Sequence, residues 1–157
     1  MWNDLKVKNE IEIMSSENKN TIQVAIIDDN TPLRNISAKQ LEQSGFSVLF
    51  QADDGHEALQ KIKENNKLPD VCVIEQDFKT VKILLQNYPD LKVLVSCMND
   101  DKESVTDMLK TGVSGYILKY ADPDEMITAV KALTENKKYF SLGISEIATE
   151  YFKNRVQ

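Results

Sequence analysis

From Thr21 to Asn136 short apolar runs alternate with stretches of helical periodicity, and three of the runs end on charge. Ile22 to Ile27 ends on the pair Asp28-Asp29, Val71 to Ile74 on Glu75, and Tyr116 to Leu118 on Lys119. Apolar runs this short, bounded by polar turns, read as strands buried on both faces, which is how parallel sheets are covered. Five strands (Ile22–Ile27, Phe46–Ala52, Val71–Ile74, Lys92–Ser96, Tyr116–Leu118) separated by helices predict an α/β fold, a doubly wound parallel sheet. Charges at successive strand ends would then converge at the carboxyl edge of the sheet, where open α/β folds place their sites.

The helices carry their own punctuation. Thr31-Pro32 reads as an N-cap and first helical residue, with Leu33, Ile36 and Leu41 facing inward and Gly45 past the end. Asp53-Asp54-Gly55 reads as a turn before a helix bearing Ala58, Leu59 and Ile62, with His56 on the surface. A short helix is expected over about 80–87, another over Lys102 to Lys110, and a fifth from Asp122-Pro123-Asp124-Glu125 to about Asn136, opened in capping-box style.

This constellation resembles the receiver domain of two-component response regulators over about 21–136. The resemblance implies the flavodoxin-like receiver fold with strand order 2-1-3-4-5. It also implies Mg²⁺ held at Asp28 and Asp29, a phosphoacceptor position at Glu75, a hydroxyl position at Cys97, a switch aromatic at Tyr116 and a pocket lysine at Lys119. Members of that family carry aspartate where this chain has Glu75 and Ser or Thr where it has Cys97. They also have a longer connection after the acceptor than Gln76 to Lys79 provides. Glutamate moves the carboxylate by a methylene, and in-line chemistry is sensitive to ångström-scale displacement. A thiol is a weak hydrogen-bond donor. The three departures together point to a phosphorylation-independent receiver, not an enzyme, that signals through protein contact. The alternative is an active phosphoacceptor using Glu75, or Asp77, with Mg²⁺. A lesser alternative is a flavodoxin-like cofactor binder on the same architecture, but its first loop should cradle phosphate, whereas here that loop begins Asp28-Asp29-Asn30.

Plain readings stand beside these. Asp28-Asp29 also suits a solvated turn, Lys119 a charged strand end, Cys97 a small buried hydrophobe, and Cys72 a core residue.

Residues 1–20 read as a flexible extension, 21–136 as the receiver-like domain and 137–157 as a linker and helix. The stretch Leu5 to Met14 alternates weakly and could add a short element. In the tail, Ile144, Ile147, Ala148, Tyr151 and Phe152 recur at helical spacing. A similar stretch in LuxR-type response regulators leads to a DNA-binding domain, which is expected to be absent here because the chain stops at Gln157. The stripe should dock on the receiver body or pair with a second copy, as a homodimer; dimerisation through the first and fifth helices is what the LuxR-type resemblance implies. A net charge of −6 disfavours direct nucleic-acid binding by this chain. No apolar run reaches membrane-spanning length. Two cysteines in or beside strands suit a reduced, cytoplasmic protein. A sensor kinase is the upstream partner the resemblance implies.

Overall fold

The computed structural model describes residues 21–75, 77–119, 122 and 124–156; the expected N-terminal extension lies outside them. Along the chain come β1 (Gln23–Ile27), α1 (Thr31–Gln43), β2 (Ser47–Ala52), α2 (Gly55–Asn65), β3 (Val71–Glu75) and α3 (Phe78–Asn87). Then follow β4 (Val93–Cys97), α4 (Lys102–Lys110), β5 (Gly115–Leu118), α5 (Glu125–Thr134), β6 (Tyr139–Phe140) and α6 (Leu142–Val156). The sheet is parallel throughout and runs β2-β1-β3-β4-β5-β6. The expected order holds, and a sixth strand adds to it.

Alternation of side chains along each strand sorts the core into two layers. Val24, Ile26, Val71, Val73, Leu94 and Ile117 pack against Ala38 and Leu41 of α1 and against Ala129, Val130 and Leu133 of α5. Ala25, Ile27, Cys72, Ile74, Val93, Val95, Cys97 and Tyr116 face α2, α3, α4 and α6. Burial of this many aliphatic side chains, each contributing about 1.5–3 kcal/mol, is the main force holding the layers together.

Several helix boundaries differ from the sequence reading, each for a local reason. Asn30, not Thr31, caps α1: it is extended and its side-chain oxygen accepts from the Leu33 N–H. Thr31 and Pro32 become the first helical residues. Ile36 is 63% exposed and is not part of the inner face, which Ala38 and Leu41 form. Helix α3 starts earlier than expected, at Phe78, because Asp77 caps it. Helix α5 has no capping box: the Asp122 carboxylate accepts from the Asp124 N–H and no side chain caps at Asp124.

The sixth strand changes the status of β5, which is interior rather than an edge. Tyr139 pairs with Gly115 and Phe140 with Tyr116. Only glycine allows that approach at 115, since a Cβ there would sit 2.8 Å from the Tyr139 carbonyl oxygen and 2.9 Å from a Leu94 methyl. Beyond β6 the tail docks on the body. Ile144 and Ala148 are fully buried in the layer containing Cys97, Val105, Met108 and Tyr116, with Ile147, Tyr151 and Phe152 packed around them. Phe152 also meets Phe140 and Tyr151 ring to ring.

Candidate functional site

Parallel strands all deliver their carboxyl ends to one edge, so β1, β3 and β5 bring Asp28, Glu75 and Lys119 together there. Lys119 Nζ forms an ion pair with Glu75 Oε1 and lies 3.6 Å from Asp28 Oδ2. These are not solvated strand ends: the side chains of Lys119 and Asp28 are only 13% and 9% exposed, and that of Glu75 is 31% exposed. The backbone fixes the lysine, whose N–H donates to the Cys97 carbonyl at 2.7 Å. Asp28 is fixed too, since its Oδ1 accepts from the Asn30 N–H at 2.8 Å.

Ligand oxygens of Asp28, Asp29 and Glu75 lie within 4.8 Å of one another. With Asp53, Asp54, Asp77 and Thr80 they line a cavity of about 440 Å³. Hard oxygen donors this close suit a cation such as Mg²⁺, which keeps several waters and needs few carboxylates. The Lys119 ammonium already neutralises part of that charge. A hydrogen bond shared with Asp28, together with partial burial, pushes the Glu75 carboxyl above the usual carboxylate range, against the opposing pull of Lys119.

Asp77 lies on the rim with both oxygens engaged. Oδ1 accepts from the Lys79 N–H at 3.1 Å and Oδ2 from the Thr80 hydroxyl at 2.7 Å. Only Gln76 and Asp77 separate β3 from α3.

Cys97 stands apart from the acids. It is buried in the core, where the Asn99 N–H donates to its Sγ at 3.1 Å. Ser96, one residue back and on the opposite face, lines the cleft with Glu75 and Lys119. The Tyr116 ring is buried and its hydroxyl donates to the Asn99 carbonyl at 2.6 Å. Cys97 and Tyr116 therefore meet through Asn99. Burial pushes the Cys72 thiol up to about 12, which makes it an unreactive core residue.

Residues that the sequence reading passed over complete the site. Arg34 Nη1 donates to the Asp28 carbonyl at 2.8 Å and pairs with Asp53, while its Nε donates to Gln51. Thr80 is buried on the cavity wall. An arginine on the first turn of a helix after an acidic pair was the available signal for the first; Thr80 had none.

The fold and these strand-end charges define a receiver. Residues 24–131 match the response regulator receiver domain model, and the chain belongs to that family. It is similar to the transcriptional regulatory protein DegU of Brevibacillus brevis, 38% identical over 129 residues, covering 78% of this chain and 54% of DegU. The chain thus spans about half the length of that relative. A LuxR-family two-component response regulator from Aurantimonas sp. SI85-9A1 superposes with a TM-score of 0.73 at 23% identity, over 88% of this chain and all of that one. The isolated receiver domain of RcsB from Salmonella enterica serovar Typhimurium, solved with phosphomimetic BeF3-, gives 0.72 at 21% identity, over 82% of this chain and 99% of that one.

Proposed function

We propose that this chain is an atypical receiver that signals through protein contact, without phosphoryl transfer. The observation that carries this reading is the Glu75–Lys119 ion pair. Here the longer glutamate reaches the lysine directly and holds a negative charge against it. That arrangement imitates an occupied site with one charge in place of the nearly two of a phosphoryl group. Asp77, the other candidate acceptor, has both oxygens engaged at the start of α3.

Asp28 and Asp29 are the residues that would hold Mg²⁺, with Glu75 as a third donor. A divalent cation there would offset the repulsion among the three acids. The output would be a change in what the receiver body binds: a sensor kinase or other protein of a signalling pathway, in the cytoplasm, with any DNA contact left to a separate domain. A second copy is the partner that one surface favours. Leu33 and Ile36 of α1 and Met126 of α5 line an apolar cleft of about 330 Å³ beside the site, with Ile36 exposed. Burying that cleft in a homodimer would remove an exposed apolar patch from water.

Incubation with acetyl phosphate and Mg²⁺ followed by intact mass measurement tests the reading. The expected result is no added phosphate. A stoichiometric gain lost in Glu75→Gln would establish the active phosphoacceptor instead.

A further inference from the structure

Ser141 lies at the junction of three elements, and its contacts lead from the acidic site to the tail helix. It is 3% exposed. Its Oγ accepts from the Leu118 N–H at 2.9 Å and its hydroxyl donates to Glu125 Oε1. Its own N–H donates to the Tyr116 carbonyl at 3.1 Å. Its carbonyl accepts from the Ser145 N–H at 2.9 Å, the first turn of α6. Tyr139 adds a second hydroxyl to Glu125, donating to Oε2 at 3.2 Å.

A serine before a helix ordinarily turns its oxygen onto the helix's own free N–H groups. Here the oxygen is turned the other way, onto the last amide of β5, one residue before Lys119. The Leu118 N–H needs a partner at that point because β6 stops at Phe140. Ser141 supplies it, and Glu125 orients Ser141.

We propose that Ser141, oriented by Glu125, is a positioning residue that fixes the β5 end carrying Lys119 and transmits the state of the Glu75–Lys119 pair to α6. This rests on the reading of that pair as the occupied-like state of the site. Lys119 cannot shift along the strand direction without displacing the Leu118 amide. That amide is bonded to the residue whose carbonyl starts α6. Helix α6 in turn buries Ile144 and Ala148 against the layer that holds Cys97 and Tyr116. The surface that answers the site is thus the docked tail, reached through a hydroxyl rather than through bulk packing.

Hydrogen exchange of the α6 amides in the 157-residue chain tests this, because exchange reports local opening directly. Glu75→Gln removes one of the charges that face Lys119, leaving Asp28 at 3.6 Å, and should speed exchange over 144–151 by about threefold or more, a coupling of ordinary size for linked residues. In a Ser141→Ala background α6 should exchange faster from the start, and adding Glu75→Gln should change nothing further. Ser141→Thr keeps the hydroxyl and should restore the response. If Ser141→Ala undocks α6 altogether, Tyr139→Phe provides the second arm: it removes one hydroxyl from Glu125 and should weaken the response while α6 stays docked. A merely structural serine would leave the Glu75→Gln effect equal in both backgrounds, and that outcome, or no effect of Glu75→Gln on α6 at all, overturns the proposal. Phosphorylation by acetyl phosphate with the α6 coupling intact would overturn the occupied-site reading alone.

Discussion

Two glutamates act on the end of β5, Glu75 through Lys119 and Glu125 through Ser141, and they are treated in opposite ways. Glu125 accepts from the hydroxyls of Ser141 and Tyr139. Glu75 shares its ground with Asp28 and Asp29, is answered by one lysine, and is held above the usual carboxylate range. The first arrangement is a lock in which neutral donors satisfy a charge. The second keeps like charges close together, which destabilises the fold unless a proton, a cation or Lys119 intervenes. Local conflict of that kind is expected where a fold serves function, and local consistency where it serves stability.

The largest effect should come from the lock side. Gly115→Val places methyl groups against the Tyr139 carbonyl, Leu94 and Leu133. It should cost about 2–3 kcal/mol by overpacking, read as a lower urea midpoint, and α6 should lose hydrogen-exchange protection along with β6. A stable variant with β6 in place would mean that the close strand approach is dispensable.

Removing the Lys119 cation from the site comes next. Lys119→Ala leaves Glu75 and Asp28 facing each other and should destabilise the protein by about 1–3 kcal/mol at neutral pH, with part of the loss recovered in acid. Equal stability of variant and parent across pH 5 to 8 would place the lysine outside the energetics of the site.

The pH dependence of stability reads the Glu75 side of the comparison. A carboxyl raised on folding binds its proton more tightly in the native state than in the unfolded one. Stability should therefore fall as pH rises from the ordinary carboxylate value of about 4.3 through the raised native value. Glu75→Gln should flatten that slope, as read from urea titrations at closely spaced pH values.

The smallest effect belongs to the exposed pair joining α4 to the tail. Lys102 and Glu150 are 3.3 Å apart, with side chains more than half exposed. Lys102→Ala should change stability by no more than about 0.5 kcal/mol. A larger loss would mean that charge, rather than Ile144 and Ala148, holds α6 down.

Strand and helix identities were legible because they rest on local periodicity and on turn chemistry at Gly45 and Asp54. Asp28, Asp29, Glu75 and Lys119 could be picked out because parallel strands all end on the same side, so a charge at a run's end has only one place to go. Two helix starts were misread: Asn30 caps α1 in place of its neighbour Thr31, and Asp77 begins α3 early, because backbone conformation decides which oxygen reaches the free N–H groups.

The two-residue strand Tyr139–Phe140 carries no periodicity to detect, and only the space beside Gly115 explains it. Cys97 and Ser96 are neighbours in sequence on opposite faces of β4, and the core decides which of them meets the site. What the chain determined by itself is therefore the order of its elements and the charges it brings to one edge, both properties of short segments. Which charges pair, and how the tail is tied to the strand carrying Lys119, was decided by tertiary structure, because those contacts join residues far apart in sequence through distances that only packing sets.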